Sequence, residues 1–433
     1  MTLALVLTLL AAPIQQAKPD SLAALERALV RHIDAHNAEG LALLERIVNL
    51  NSGTHNHTGV RRVGDALRAE LDALGFVTRW EDGTPYQRAG HLIAEHAGSG
   101  PRLLLIGHLD TVFEAESPFQ RFERIDSVRA RGPGVIDMKG GDVIIVQALK
   151  ALQATGALQR MSVIVVLHGD EEDSGDPTSL ARRTLLEAAR RSDIAIGFED
   201  GDGDPKTAVI ARRGSGSWTL RVTGTPAHSS QLFRSDVGAG AVYETARVLE
   251  GFRLRLAGDP LLTFNPGLAL GGTTVELDSA EVRGSAAGKS NVVAGTMVVK
   301  GDLRTISQER LAWAKSTMRR VVAAHLPHTS SELSFDDGYP PLAPVAGNRR
   351  LLAIYDRVSR DLGFGPVGMD NPAKAGAADV SFTAGIVPMA IDGLGLAGWD
   401  DHTVKETADL SSLPMLTKRA AVLLYRLTRP PVP

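Results

Sequence analysis

Short apolar runs that end in charged residues constrain the fold of this chain most strongly. HLIAEH, RLLLIGH and SVIVVLHGD are rich in Leu, Val and Ile, and they are interspersed with helical stretches such as DVIIVQALKALQATG. This pattern is typical of parallel strands with crossover helices. We therefore predict an α/β fold with a mainly parallel sheet and flanking helices. Ligands bind beyond the carboxyl ends of such strands, so functional residues are expected at that edge.

Composition excludes several classes of protein. The chain has 433 residues, of which 43% are apolar, so it can bury a full core and form more than one domain. With 47 basic and 50 acidic residues its formal charge is -3, which predicts no nucleic acid partner and no attraction to anionic membranes. Because cysteine is absent, disulfides and thiolate nucleophiles are excluded, and any metal must be held by His, Asp and Glu.

Residues 1–20 are predicted to be a signal peptide. Their apolar run from Leu3 to Ala12 is too short to span a bilayer but suits the core of a secretory signal. No Lys or Arg precedes the run, so a buried first helix and a misassigned start are the alternatives. Export with cleavage near Ala12 or Ala17 is favoured. It implies a periplasmic or secreted protein without a membrane span after cleavage, and a cytoplasmic location is the alternative.

The domain organisation is predicted from changes in the sequence pattern. Apolar periodicity predicts helices over 22–51 and from about Arg61 to Leu74, the second ended by Gly75. From about Arg213, strands such as SWTLRVTG and MVVKGDLRT flank helical stretches, which predicts a small inserted α+β domain over 213–328. The segment SELSFDDGYPPLAP is interpreted as connecting sequence. Residues 21–212 and 329–433 are then the two parts of a catalytic, metal-binding domain.

His108 and Asp110 follow an apolar run in LLLIGHLDTV. Because the two residues are two positions apart at a strand end, their side chains point to the same side of the strand. Asp110 can therefore accept the second ring proton of His108. That contact would fix the imidazole for metal binding. The alternative is an ordinary polar pair at a strand end.

Asp137 lies in RGPGVIDMKGGDVIIVQAL, where Gly and Pro form a turn that leads into an apolar helix. A carboxylate in this position could bridge two cations. Alternatively, Asp137 is a helix cap and Gly140 and Gly141 are simple turn residues. Lys139 is interpreted as a solvated or capping charge.

Glu171 and Glu172 stand side by side in HGDEEDSG, after the run SVIVVL. Adjacent carboxylates repel each other unless they are protonated or neutralised by cations. They are therefore candidates for a metal ligand and for a base that takes a proton from water. An acidic surface loop is the alternative.

Two further segments supply candidate ligands. GFED offers Glu199 or Asp200, which spacing does not separate, and WDDHTVKE offers His402 in a loop. Four other histidines, which have no comparable acidic partner in the sequence, are interpreted as surface or core residues: His55, His57, His96 and His168.

Taken together, these motifs resemble the M20 family of metallopeptidases, which includes glutamate carboxypeptidases, aminoacylases, succinyl-diaminopimelate desuccinylases and dipeptidases. The resemblance covers roughly residues 40–425, with the motifs in the family's order: GHLDTV, GPGVIDMKGG, HGDEEDSG, GFED, GTPAHSS, KSNVVAG, AGAADVS and WDDHTVKE. It implies a catalytic domain of the zinc-exopeptidase type with an inserted ferredoxin-like domain that serves as lid and dimerisation surface.

The resemblance also implies a role for each candidate residue. The ligands of two zinc ions that share one carboxylate would be His108, Asp137 and Glu199 for one ion, and Asp137, Glu172 and His402 for the other. Glu171 would be the general base and Asp110 would orient His108. Co²⁺ or Mn²⁺ could replace zinc with these ligands.

In the lid, the resemblance marks three residues. His228 in GTPAHSS would reach the active site of the partner in a homodimer and stabilise the oxyanion. Asn291 in KSNVVAG and Arg304 in GDLRT match positions that contact substrate in some relatives. Residues 376–379 depart from the family pattern, which commonly has a hydroxyl residue before the Asp.

The sequence thus predicts a dinuclear zinc hydrolase that uses a metal-activated water to cleave an amide bond beside a free carboxylate. The substrate would be a peptide or an N-acyl amino acid, and the enzyme a metallocarboxypeptidase or an N-acyl amino acid amidohydrolase. Glu199 as the ligand favours this side of the family. An aminopeptidase or dipeptidase, and an inactive homologue that binds metal or peptide, are the alternatives.

Overall fold

The computed structural model describes residues 22–278 and 283–429. The predicted signal peptide, residues 1–20, lies outside the described residues and stays a prediction. The helices are α1 (Ala24–Val48), α2 (His57–Ala73), α3 (Lys139–Ala154), α4 (Thr178–Ala181), α5 (Arg183–Arg190), α6 (Gly240–Leu256), α7 (Gln308–Val322), α8 (Ala346–Asp361) and α9 (Ser412–Leu427).

The strands fall into two large sheets and several small ones. In chain order they are β1 (Val77–Asp82), β2 (Gly90–His96), β3 (Arg102–His108), β4 (Glu123–Arg124), β5 (Arg129–Arg131), β6 (Ser162–His168), β7 (Ile194–Gly197), β8 (Thr207–Ala208), β9 (Ser215–Gly224), β10 (Pro266–Gly272), β11 (Thr274–Leu277), β12 (Gly284–Ala287), β13 (Thr296–Leu303), β14 (Thr329–Tyr339), β15 (Gly368–Met369), β16 (Met389–Ile391), β17 (Gly398–Trp399) and β18 (Thr407–Asp409).

The main sheet is mixed and has the strand order β1-β2-β6-β3-β7-β16. Strands β6, β3, β7 and β16 are parallel neighbours, whereas β2 is antiparallel to both β1 and β6. The α/β class is confirmed, but the prediction that HLIAEH is a parallel strand is wrong. Only residues 97–101 connect β2 to β3, and a parallel connection needs a dozen or more residues.

Both faces of this sheet are covered, which explains the continuous apolar runs. In β3, Leu103 and Leu105 join the core on the face covered by α1, α3 and α9, while Leu104 and Ile106 join a second core on the opposite face. Strand β6 alternates in the same way. In β3 and β6 the polar residues are therefore confined to the strand ends, where the sequence places its charged clusters.

Local signals set the helix boundaries. The side chain of Asn56 accepts a hydrogen bond from the backbone N–H of Gly59 and caps α2. Gly75, with φ +84°, follows the end of the same helix, as predicted. None of the helices in the described ranges combines the length and the apolar character that crossing a membrane requires.

The second large sheet belongs to the segment predicted as an inserted α+β domain. Its antiparallel strands have the order β10-β13-β9-β14, and α6 and α7 pack on it in a βαββαβ sequence. The predicted end at residue 328 is too early, because residues 329–339 form β14 and pair along the whole of β9. The alternating exposure of β14 is that of a strand with one solvated face, and the prolines follow only after Tyr339.

The two chain crossings between the domains lie side by side. Arg212 and Leu342 pair as an antiparallel bridge, with both backbone hydrogen bonds formed, at 2.9 and 3.0 Å. Strands β9 and β14, which adjoin these crossings, are neighbours in the second sheet. The end of that sheet nearest the main domain is therefore the end that contains Ser215 and Tyr339.

Candidate metal centre

The predicted metal ligands and the predicted base lie at one edge of the main sheet. His108 is the last residue of β3, Glu171 and Glu172 follow β6, and Glu199 follows β7. Since these strands are parallel neighbours, their carboxyl ends meet at the same edge.

Two groups of potential ligand atoms share Asp137. His108 Nε2 lies 3.0 Å from Asp137 Oδ1 and 3.6 Å from Glu199 Oε1. His402 Nε2 lies 2.8 Å from Asp137 Oδ2 and 3.1 Å from Glu172 Oε2. Within each group the ligand atoms lie within 4.8 Å of one another. The two oxygens of one carboxylate thus face two different histidines, which is the geometry of a bridge between two cations.

Close packing of the first turn of α3 holds Asp137 at the sheet edge. A side chain at Gly140 would meet Leu396 at 2.4 Å, and one at Gly141 would meet the carbonyl oxygen of Phe198 at 2.0 Å. The two glycines are therefore required by close approach and are not simple turn residues. The interpretation of Lys139 as a solvated charge is also wrong, because it is fully buried and donates to the carbonyl of Leu50.

Glu406 holds the backbone of the turn before Asp137. Its Oε1 accepts from the N–H groups of Ile136 and Asp137, at 2.8 and 3.2 Å, and its Oε2 accepts from Gly134 N–H at 2.9 Å. Sequence reasoning missed this residue, although it stands four positions after His402 in the same motif. The motif therefore supplies both a ligand candidate and a support for Asp137.

His402 reaches the site from the loop between β17 and β18. Strand β18 pairs with β5, which precedes the Asp137 turn, so a small sheet brings the two loops together. His402 has φ +57°, in the left-handed region that side chains seldom adopt. Such a conformation in a loop at a functional site is held by its surroundings, here the contacts to Asp137 and Glu172.

The Asp110 carboxylate is fully buried and organises two neighbouring segments. It accepts from the Thr54 hydroxyl at 2.7 Å and from the N–H groups of Glu171 and Glu172 at 3.0 and 3.1 Å. His108 Nδ1 lies 3.1 Å from the Asp110 carbonyl oxygen and 3.4 Å from its carboxylate. Asp110 therefore contacts His108 mainly through its backbone carbonyl, and its carboxylate fixes the backbone of both glutamates.

Charges in the site are strongly coupled. Burial raises the pKa of Glu172 and of Glu199 to about 7 in each case, and the nearby Asp137 charge adds to both shifts. Hydrogen bonds to Asp137 and Glu172 raise the pKa of His402 to about 11. Burial opposes ionisation of Asp137, but the bonds from His108 and His402 hold its pKa below the ordinary value.

This donor set fits two divalent cations. All donors are imidazole nitrogens or carboxylate oxygens, which suits zinc, cobalt or manganese. Within the described part of the chain, Glu172 Oε1 is buried without a hydrogen-bond partner. A buried carboxylate oxygen that lacks a donor is costly, and a cation would satisfy it.

The geometry decides between candidate residues whose roles the sequence pattern could not separate. Glu199, and not Asp200, belongs to the group with His108 and Asp137. Glu171 belongs to neither group of ligand atoms found among the described residues, although its backbone adjoins that of Glu172. Burial, followed by the charges of Glu199 and Asp379, raises the pKa of Glu171 well above its ordinary value. A buried carboxyl with a raised pKa suits a group that accepts and returns a proton.

His168 has an acidic partner that sequence reasoning missed. It is fully buried at the end of β6, beside His108 in the strand register, and its Nδ1 contacts Asp379 Oδ2. Asp379 lies in the AGAAD segment, so this carboxylate is part of a buried support. The interpretation of His168 as a core histidine is correct, but the premise that it lacks an acidic partner is wrong.

The predicted lid residues lie at two different ends of the second sheet. His228 and Asn291 are exposed neighbours, since the chain forms a bridge at His228 and Val292 and Ser229 N–H donates to the Asn291 carbonyl. Arg304 follows the other end of β13 and pairs with Asp302. The eight-residue strand β13 separates Asn291 from Arg304 by roughly 25 Å. Within one chain they cannot contact the same small substrate.

Comparison with known sequences identifies the family. Residues 104–426, most of the chain, match the sequence profile of peptidase family M20/M25/M40. The chain belongs to this family. The resemblance found in the sequence, and with it the metallopeptidase or amidohydrolase class of enzyme, is thereby confirmed.

Two curated relatives match the M20 chain over most of their length. It is 26% identical over 394 residues to carboxypeptidase G2 of Pseudomonas sp. (strain RS-16), covering 89% of this chain and 88% of that protein. It is 28% identical over 380 residues to the succinyl-diaminopimelate desuccinylase of Gluconacetobacter diazotrophicus, covering 83% of this chain and 90% of that protein.

Solved structures share the fold of the M20 chain. Aminopeptidase PepT from Bacillus cereus has a TM-score of 0.70 at 15% identity, covering 91% of this chain and 99% of that chain. The YXEP protein of Bacillus subtilis, described as a dinuclear metal binding peptidase from the M20 family, has a TM-score of 0.63 at 14% identity, with coverages of 91% and 99%. At these identities the likeness establishes the α/β fold alone.

Metal affinity of the M20 chain is expected to rise with pH. Glu172 and Glu199, whose pKa values burial raises to about 7, carry protons in the metal-free site below neutrality, and bound metal must displace them. The affinity should therefore fall as the pH drops through 7. Titration calorimetry with a competing chelator at pH 6, 7 and 8 measures this, and Glu199→Gln should flatten the slope. An affinity that is constant, or that rises on acidification, would contradict the assignment.

Glu406→Gln is expected to weaken zinc binding by about 10-fold to 100-fold, the usual cost of losing a group that orients a ligand. The amide retains one acceptor oxygen but turns an NH₂ group toward a backbone N–H that Glu406 now binds. Zinc affinity is measured by chelator competition, and Glu332→Gln, at an exposed position of β14, is the matched control. Equal affinity in the two variants would show that Glu406 does not support Asp137.

Proposed function

We propose that this protein is a dinuclear zinc hydrolase that cleaves an amide bond next to a free carboxylate. It would act as a metallocarboxypeptidase or as an N-acyl amino acid amidohydrolase. The observation that carries the proposal is the pair of ligand groups that share Asp137, with Glu171 beside them but outside both. Zinc is the proposed metal because the donors are imidazole and carboxylate, and Co²⁺ or Mn²⁺ could replace it.

Two bound zinc ions would polarise the scissile carbonyl and lower the pKa of water in the site. Glu171 takes a proton from the attacking water and later returns it to the leaving amine nitrogen. Asp110 holds the Glu171 amide and His108 in place during both transfers. The chain contains no cysteine, and the hydrolysis needs no covalent nucleophile.

The preference for a carboxylate-bearing substrate is supported by Glu199, which lies in the ligand group in place of Asp200, and by similarity to a carboxypeptidase and to desuccinylases. An aminopeptidase or dipeptidase of the same family is the alternative. The predicted signal peptide supports a periplasmic or secreted enzyme.

Glu171→Ala is expected to lower turnover by about 10²-fold to 10⁴-fold, because it removes the proton acceptor. Zinc content should stay at two ions per chain, since Glu171 is outside both ligand groups. Turnover is measured on N-acyl amino acids and dipeptides with zinc added, and zinc by elemental analysis of the same samples. Glu172→Ala is the matched control, which should lose zinc together with activity.

Full activity in the Glu171→Ala variant would show that Glu171 is not the base. A wild type that binds two zinc ions but hydrolyses no member of the panel would favour an inactive metal-binding homologue. Hydrolysis of dipeptides with a free amino terminus, but of no N-acyl amino acid, would favour the aminopeptidase or dipeptidase alternative.

The proposed homodimer, in which each subunit supplies His228 to its partner, is supported by the distance between His228 and its own site. Tyr339 contacts the carbonyl of Glu171 at the crossing end of the second sheet, where it pairs with Ser215. Strand β9 runs ten residues from Ser215 to Gly224, so the His228 end lies roughly 30 Å away. His228 is exposed at that end, which suits a residue that acts in another subunit's site.

Mixing two inactive variants tests whether His228 acts in the active site of the partner subunit. His228→Ala should lose about 10²-fold to 10³-fold in turnover, as expected for an oxyanion donor. If His228 acts across the dimer, an equal mixture of Glu171→Ala and His228→Ala chains, refolded together, should recover about a quarter of the wild-type activity, because half of the dimers contain one intact site. A mixture no more active than its separate components would show that His228 does not act in trans.

A further inference from the structure

The backbone around Glu171 is clamped by a buried arginine and a tyrosine. Arg182 Nη2 donates to the Asp170 carbonyl oxygen at 2.9 Å and also to the Tyr339 hydroxyl. The Tyr339 hydroxyl in turn donates to the Glu171 carbonyl oxygen at 3.0 Å. Two consecutive carbonyl groups next to the catalytic carboxylate are therefore fixed by one hydrogen-bonded chain.

Arg182 itself is fully buried and held by two carboxylates. Its Nε donates to Asp379 at 2.6 Å, and its Nη1 donates to Asp170 at 2.6 Å. The second oxygen of Asp379 contacts His168. Because the guanidinium is planar and its donors point in fixed directions, these bonds leave it little freedom to rotate. The Tyr339 hydroxyl therefore accepts its hydrogen bond from a rigidly held donor, the Arg182 guanidinium.

Tyr339 belongs to the second domain, whereas Glu171 and Arg182 belong to the main domain. It is the last residue of β14 and pairs with Ser215 at the start of β9. Its ring packs against Phe382 with a centroid distance of 5.0 Å. Strand β14, which adjoins a chain crossing and pairs with β9, therefore places one hydroxyl group against the backbone of the proposed base.

We propose that Tyr339 is a positioning residue that links the second domain to Glu171 and sets the orientation of that carboxylate for proton transfer. The inference rests on the proposed function, in which Glu171 is the base. Tyr339 does not touch the reacting atoms. It binds the Glu171 carbonyl directly and is linked through Arg182 to the Asp170 carbonyl. A displacement of about 1 Å in a catalytic group can cost about 100-fold in rate.

Contacts outside this clamp also hold the ligand candidates. The Glu172 N–H belongs to the same peptide group as the Glu171 carbonyl, but it donates to Asp110 independently of Tyr339, and the Asp137 turn is fixed by Glu406. Removal of the Tyr339 hydroxyl should therefore disturb Glu171 and leave both ligand groups in place. The substitution removes no charge, so the ion pairs of Arg182 also remain.

Tyr339→Phe is the test, assayed as the full-length zinc enzyme on the substrate that the wild type cleaves. We expect kcat to fall by about 10-fold to 100-fold, with KM, zinc content and thermal midpoint close to wild type. Tyr355→Phe is the matched control, because Tyr355 in α8 is a buried tyrosine beside a buried arginine, Arg419 in α9. That variant should keep the wild-type kcat.

A double-mutant cycle separates positioning from a general structural effect. In a Glu171→Asp background the carboxylate is already displaced by one methylene, so adding Tyr339→Phe should lower kcat by less than about 3-fold. The visible spectrum of the cobalt-loaded Tyr339→Phe enzyme should match that of the wild type, because the ligand groups are unchanged.

Several outcomes would overturn the inference. A Tyr339→Phe enzyme with wild-type kcat, an equal loss of kcat in both backgrounds, or a changed cobalt spectrum would each exclude positioning of Glu171 by Tyr339. Failure of the proposed function is distinguished by the wild type alone. If the wild type cleaves only free dipeptides, the substrate class is wrong and the same comparison is made on a dipeptide. If it cleaves neither kind of substrate, the inference fails together with the function.

Discussion

The Asp137 carboxylate, whose two oxygens face two histidines, is the contact on which the rest of the site depends. Around it the fold gathers Glu171, Glu172 and Glu199 at the ends of adjacent parallel strands, where their mutual repulsion would be costly without cations. In the metal-free chain, burial and the charge of Asp137 raise the pKa values of Glu172 and Glu199, so ionising these carboxylates there is costly. Two divalent cations would neutralise these carboxylates and remove that cost. The charge of the cations would then serve the hydrolysis.

A second set of carboxylates supports the first. Asp110 accepts the backbone N–H groups of both adjacent glutamates, Glu406 accepts those of the Asp137 turn, and Asp379 anchors Arg182, whose bonds extend to the Glu171 segment. Each joins segments that are distant in sequence. Since the positions of the acting groups are set through these backbone contacts, the precision of the site depends on residues that touch neither metal nor substrate.

The sequence predicted the site better than its supports, for a physical reason. Each ligand candidate stands near the end of an apolar run, and parallel strands bring such ends together, so the pattern made His108 and the pair Glu199 and Asp200 candidates. It did not separate Glu199 from Asp200, which the structure does. Arg182 lies between two short helices and Tyr339 at the end of an alternating strand, and neither position carries a signal of its partner. The same limit applies to strands. The short connection after HLIAEH reverses β2, and the prolines after Tyr339 indicate connecting sequence although residues 329–339 form β14.

Anomalous diffraction at the zinc absorption edge, from crystals of the zinc-loaded protein, tests the central claim most directly. Two peaks on either side of the Asp137 carboxylate are expected, about 3.5 to 4 Å apart as in other two-metal sites. One peak should adjoin His108 and Glu199, and the other should adjoin Glu172 and His402. A single peak, or zinc bound away from Asp137, would contradict the dinuclear centre.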